Sequence, residues 1–292
     1  MVVMTALRSP RKSAAAFGVA AAAAAAVGVS VAAPSAHAAT PSPTQKPTVV
    51  LVHGAFVDAS EWDGVIGHLQ HDGYKVVAPA NPLRGLASDS AYLRSVLGTI
   101  HGPIVLAGHS YGGSVMTEAA AGDAQVKALV YIAAIAPDKG ESVASLGAKF
   151  PATELNSSLV PAPYPLPGGG AGVELSVRAD KFHDAVAADA PQAIADVAAD
   201  APQAIADVAA AAQRPAAANI FSDKTTDVAW KTIPSWDLVT TQDHAINPAE
   251  QQFMAERAHA HTVEVNSSHA VPQTHPDAVT GIIEQAAQAT AR

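Results

Sequence analysis

The run PIVLAGHSYGGSVMTEAAA, residues 103–121, decides the fold. Its first five residues are apolar and rich in β-branching, the composition of a strand buried on both faces. Its last nine are small or helix-forming, which predicts a helix over 113–121. Between them stands Gly108-His109-Ser110-Tyr111-Gly112, a G-x-S-x-G pattern. A chain that turns from strand to helix within so few residues forces its central residue into a strained backbone. The flanking glycines remove the side chains that would collide there. The serine hydroxyl then stands above the sheet edge, with the helix N-terminus facing any negative charge that develops beside it.

Working outward, strands are expected at 48–53, 74–78, 103–107 and 126–133, with helices at 60–71, 88–100 and 113–121 between them. The helix over 88–100 is read from Tyr92, Leu93, Val96, Leu97 and Ile100, which share one face at helical spacing. Strand, helix, strand and helix return at 235–240, 248–258, 261–265 and 276–289. This alternation predicts a mainly parallel, doubly wound α/β sheet, with a core made of 48–136 and 233–292. The intervening 137–232 shows no clear strand. It carries the proline-rich 161–167, three glycines at 168–170 and a long alanine-rich stretch, and it is expected to form a mainly helical lid. Within it DAPQAIADVAA occurs twice in tandem, at 189–199 and 200–210. Eleven residues make about three helical turns, so the duplication keeps helical phase. It is read as a slippage event tolerated at the surface.

The N-terminus reads as an export signal. Arg8, Arg11 and Lys12 precede an alanine-rich apolar stretch, and Ala36-His37-Ala38 fits the small-x-small cleavage rule. The expectation is a signal peptide over 1–38, a Pro/Ser/Thr linker over 39–47 and a secreted or extracytoplasmic mature chain. The net charge of −9, more negative once the basic leader is gone, argues against nucleic acid and against stable docking on anionic membranes. No cysteine is present, so disulfides, thiolate zinc sites and a cysteine nucleophile are all excluded.

A serine hydroxyl near neutral pH needs a base, and the base needs an orienting acid. In sheets of this kind these follow in the order serine, acid, histidine, each just beyond a strand. The acid is expected at Asp243, after the strand at 235–240. Asp237 is a rival inside that strand, while Asp223 and Asp227 come too early. The base is expected at His269, after the strand at 261–265. His244, His259, His261 and His275 are worse placed, and a zinc site built from the last three lacks a ligand motif. No metal and no cofactor is expected. The oxyanion donors are expected to be the backbone N–H groups of Tyr111 and Ala55, with Phe56 as an alternative donor or a wall of the substrate pocket.

His53-Gly54-Ala55-Phe56, the serine motif with Gly113, the run Ala136-Pro-Asp-Lys-Gly-Glu-Ser142, Thr241-Gln242-Asp243 and Ser268-His269-Ala270 together resemble the α/β-hydrolase superfamily. The match is to its branch of small esterases related to plant methylesterases and hydroxynitrile lyases. The resemblance implies an α/β-hydrolase fold over about 48–290 and a triad of Ser110, Asp243 and His269. It also implies cleavage of small-molecule carboxylic esters of modest size and apolar or aromatic character. Hydroxynitrile lyases of this branch carry lysine after the catalytic histidine and threonine at the position of Gly54. Here Ala270 and Gly54 stand instead, which favours ester hydrolysis. Lyase, thioesterase, amidase or perhydrolase chemistry on the same residues is the alternative, followed by a non-catalytic binding protein on this scaffold.

Overall fold

The computed structural model describes residues 46–189 and 209–290. The expected leader and linker, and most of the tandem repeat, lie outside the described residues. Six strands form one sheet in the order β2-β1-β3-β4-β8-β9, and every pairing is parallel. They are β1 Thr48–Val52, β2 Lys75–Val77, β3 Ile104–His109, β4 Val126–Ile132, β8 Ser235–Thr240 and β9 His261–Val265. The two strands after the insertion occupy the residues expected of them.

The unbroken apolar runs follow from burial on both faces. In β1, Val50 and Val52 enter one core while Val49 and Leu51 enter the other. In β3, Ile104 and Leu106 divide from Val105 and Ala107 in the same way. Helices α2 (Leu86–Leu97) and α3 (Tyr111–Ala119) cover the first face through Leu93, Leu97, Val115 and Met116. Helix α1 (Asp63–His71) and the helix Pro276–Thr290 cover the second through Val65, Leu69, Val279 and Ile283. Helix α3 starts two residues earlier than the pattern predicts, because the turn at Ser110 passes into it directly.

The stretch between β4 and β8 departs from the strand-free, mainly helical lid. Its described part holds a second, three-stranded antiparallel sheet in the order β5-β6-β7, formed by β5 Leu159–Pro165, β6 Ala171–Val177 and β7 Ala216–Ala217. It also holds the helix Ala179–Val186. Prolines 161, 163 and 165 argue for a loop only if every N–H is needed. In β5, an edge strand, they recur with period two, so their nitrogens all face away from β6 and no ladder bond is lost. The glycine run 168–170 supplies the positive φ angles of the hairpin turn. Arg84 of the core stacks on Tyr164 at 4.7 Å and pairs with Glu174 at 2.9 Å, tying this hairpin to the main sheet.

Candidate active site

Ser110 lies in the turn between β3 and α3, with φ 53° and ψ −125°. Such a backbone is costly for a residue with a Cβ and persists only where the surroundings enforce it. Its N–H donates to Ile132 O at 3.3 Å, and its C=O accepts from Gly113 N at 3.0 Å and Ile135 N at 3.1 Å. The close packing of this turn explains the glycines around it. A Cβ at Gly112 would lie 2.3 Å from the carbonyl oxygen of Val52, and one at Gly54 would lie 2.9 Å from the Cβ of Ser110.

Asp243 and His269, 26 residues apart, meet at the same edge of the sheet. The Asp243 carboxylate is buried, and each of its partners is a donor. Oδ1 accepts from Ala245 N and Ile246 N, each at 2.8 Å. Oδ2 accepts from Thr240 Oγ1 at 2.8 Å, Gln251 Nε2 at 2.9 Å and His269 Nδ1 at 2.8 Å. Burial pushes this carboxyl up, but the charge and hydrogen bond of His269, together with the other donors, outweigh it and hold Asp243 below the ordinary carboxylate range. An ionised Asp243 fixes the proton of His269 on Nδ1 and leaves Nε2 as an acceptor. The rival Asp237 instead lies inside β8, buried and without a partner among the described residues, where desolvation raises its carboxyl well above the usual range.

The loop bearing His269 is held from two sides. The helix Ala179–Val186 ends against it, with the Val186 carbonyl accepting from Ala270 N at 2.9 Å and Ser268 Oγ at 3.2 Å. From below, His109 Nε2 donates to the His269 carbonyl at 2.9 Å, and the two imidazole rings lie 4.6 Å apart. His109 Nδ1 in turn meets Glu61 Oε2 at 2.9 Å, and Glu61 Oε1 accepts from Gly54 N at 3.1 Å. Burial alone would lower His109, but the Glu61 carboxylate reverses this and the group is raised. One buried pair thus links the loop after β1, the serine turn and the histidine loop. Sequence reasoning missed Glu61, His109, Thr240 and Gln251 in these roles, because nothing local marks them.

The expected oxyanion donors are in suitable form. Tyr111 is the first residue of α3, where an N–H has no intrahelical acceptor, and its hydroxyl is pinned to Asp89 Oδ2 at 3.0 Å. The N–H of Ala55 has no acceptor among the described residues. Phe56 has φ 68°, and its carbonyl accepts from Arg214 N at 3.3 Å. Its ring stacks on Phe221 with centroids 6.1 Å apart. His53 serves the loop, with Nδ1 against Gly54 O at 2.9 Å and Nε2 accepting from Asn81 N at 2.8 Å. The Ser110 hydroxyl has no hydrogen-bond partner among the described residues, so the link from Ser110 to His269 is the one expected contact this geometry leaves open. Such contacts commonly tighten only around substrate.

Beside these groups lies a cavity of about 480 Å³, lined mainly by apolar side chains including Ile135, Val143, Phe150, Leu159, Phe221 and Ile246. Ile135 N donates to the Ser110 carbonyl and Ile246 N to the Asp243 carboxylate, so the lining borders both turns, and residues of the insertion such as Leu159 and Leu175 complete it. Its size suits a small organic ligand.

A strained serine turn on a parallel sheet, with an Asp–His pair beyond the later strands, defines a class. The chain belongs to the alpha/beta hydrolase family, whose model matches residues 49–282. Among curated relatives it is 31% identical over 124 residues to a carbendazim-hydrolysing esterase of Nocardioides sp. (strain SG-4G). That match spans 38% of this chain and about half, 51%, of the relative. It is also 26% identical over 264 residues to the alpha/beta hydrolase nvfD of Aspergillus novofumigatus (strain IBT 16806), covering 83% of this chain and 97% of that one. The crystal structure of polyneuridine aldehyde esterase shares the fold, with a TM-score of 0.68 at 19% identity over 82% of this chain and 99% of that one.

Proposed function

We propose that this protein cleaves carboxylic esters of modest-sized apolar or aromatic small molecules, with Ser110, His269 and Asp243 as its catalytic triad. The observation that carries the reading is the 2.8 Å bond between His269 Nδ1 and the buried Asp243 carboxylate, one of five hydrogen bonds that carboxylate accepts, at the sheet edge where Ser110 is held at φ 53°. In this reading His269 Nε2 takes the Ser110 proton as the hydroxyl attacks the ester carbonyl. Asp243 stabilises the imidazolium, and the N–H groups of Ala55 and Tyr111 receive the oxyanion. The proton then passes to the leaving alcohol, and water repeats the sequence on the acyl-enzyme. The relative named as an esterase supports the reaction class. The apolar cavity supports the substrate class. The insertion acts as a lid, and the N-terminal pattern directs the chain out of the cytoplasm.

Ala270, beside the base, offers no ammonium to a departing cyanide, which separates this site from lyase chemistry. The test is Ser110→Ala assayed on short p-nitrophenyl esters, together with fluorophosphonate labelling of the unaltered protein. Loss of turnover and of labelling is expected. Esterase activity undiminished in Ser110→Ala would overturn the assignment.

A further inference from the structure

One carboxyl group bordering the cavity has no part in the triad. Glu250, in the first turn of the helix Pro248–Arg257, is only 4% exposed. Its Oε1 is buried without a hydrogen-bond partner among the described residues, and its side chain lines the 480 Å³ cavity. Gly147 lines the cavity beside it. A Cβ built there would lie 3.9 Å from Glu250 Oε2, so a side chain at 147 would rest directly on the carboxyl group. The nearest cation does not answer it, since Lys149 is engaged by Glu141 at 2.6 Å. Burial, reinforced by the charge of Asp243 and partly offset by Lys149, pushes Glu250 up to about 7. Thr153 and Asn156 are the other polar residues of a mainly apolar lining, and a buried acceptor left unpaired is costly for the free protein. It becomes favourable when a ligand brings the missing donor.

We propose that this cavity is the recognition subsite for esters whose apolar body carries a protonated amine, with Glu250 as the group that receives the ammonium. This rests on the ester-cleaving reading and names its substrate class. A cation suits the site better than a neutral donor. A buried carboxylate that is poorly solvated gains most from a full opposite charge. The apolar walls formed by Ile135, Phe150, Leu159 and Phe221 take the rest of the molecule. Two of the lining residues border the turns that carry the triad, since Ile135 N donates to Ser110 O and Ile246 N to Asp243 Oδ1.

Two esters of nearly equal shape decide the matter: 2-(dimethylamino)ethyl benzoate, charged at neutral pH, and 3-methylbutyl benzoate, which is not. Each is titrated calorimetrically into Ser110→Ala protein, where turnover does not interfere. The amine ester is expected to bind at least about tenfold more tightly, the scale of one hydrogen bond to a charged group. That preference should vanish in Ser110→Ala/Glu250→Gln. Equal affinities in Ser110→Ala overturn the subsite without any variant at 250, and a preference that survives Glu250→Gln overturns the role of Glu250. Turnover of both esters by the unaltered protein separates the two claims. Preferential binding without hydrolysis of either ester upholds the subsite and rejects ester cleavage. Hydrolysis of both esters at equal efficiency, with equal binding, upholds cleavage and rejects the subsite.

Discussion

Replacing Asp243 by asparagine tests the chemistry most directly, because the structure dictates how the new amide must lie. Oδ1 accepts from two backbone N–H groups, those of Ala245 and Ile246, which cannot move without unwinding the turn. The amide oxygen must therefore take the Oδ1 position, and the NH2 must take that of Oδ2. There it faces Thr240 Oγ1, Gln251 Nε2 and His269 Nδ1, three groups that now donate. The threonine hydroxyl can rotate to accept. The imidazole can accept only by losing the proton on Nδ1 and carrying it on Nε2, which removes the acceptor that the proposed mechanism assigns to the Ser110 proton. A fall in kcat of about 10⁴ is expected, as for the same change in serine proteases, or about 5.5 kcal/mol of transition-state stabilisation. The Gln251 amide is left against another donor, an unsatisfied contact costing roughly 1–3 kcal/mol. In a domain of this size that lowers Tm by several degrees, at roughly 2–4 °C per kcal/mol. The assay is kcat on p-nitrophenyl butyrate, with circular dichroism and thermal melting to show that the variant is folded. A folded Asp243→Asn protein retaining a tenth or more of the activity would refute the reasoning.

Three further outcomes are expected. Gly54→Thr puts a Cβ 2.9 Å from that of Ser110 and 3.1 Å from His109 Nδ1; kcat/KM should drop at least about tenfold and stability by roughly 1–3 kcal/mol, and unchanged kinetics would show that the turn can yield. Glu61→Leu strands the raised His109 and the Gly54 N–H in a buried site, so urea unfolding should show a loss of about 3–5 kcal/mol, with a loss below 1 kcal/mol counting against a charged pair. Glu250→Gln should reveal a pH-dependent gain. The folded-state value of about 7 lies above the ordinary 4.5, so the native protein holds the extra proton between these limits and wild-type stability declines as pH rises through that window. The variant should therefore match wild type near pH 4.5 and exceed it by about 3 kcal/mol above pH 7, whereas a constant difference between pH 5 and 8 in denaturant melts would contradict this.

The main sheet and the turn at Ser110 were legible in the amino-acid sequence because both are local patterns. A strand covered on two faces needs a continuous apolar run, as 48–52 and 104–107 show, and a strand-to-helix turn needs glycines at 108 and 112. The positions of Asp243 and His269 were legible for a related reason: each follows a short strand whose end the sequence marks. The second sheet was hidden. Prolines at 161, 163 and 165 signal a break unless the strand is known to be an edge with its nitrogens turned outward, and that is a property of the neighbours. Strand position already favoured Asp243 over Asp237, but only the tertiary structure supplied their opposite surroundings: six residues apart, one carboxylate meets five donors and the other, among the described residues, none. The same holds for Glu61 beneath the histidine loop and for Glu250 at the cavity wall. Their character comes from burial and from partners dozens of residues away, and no short window of sequence contains either.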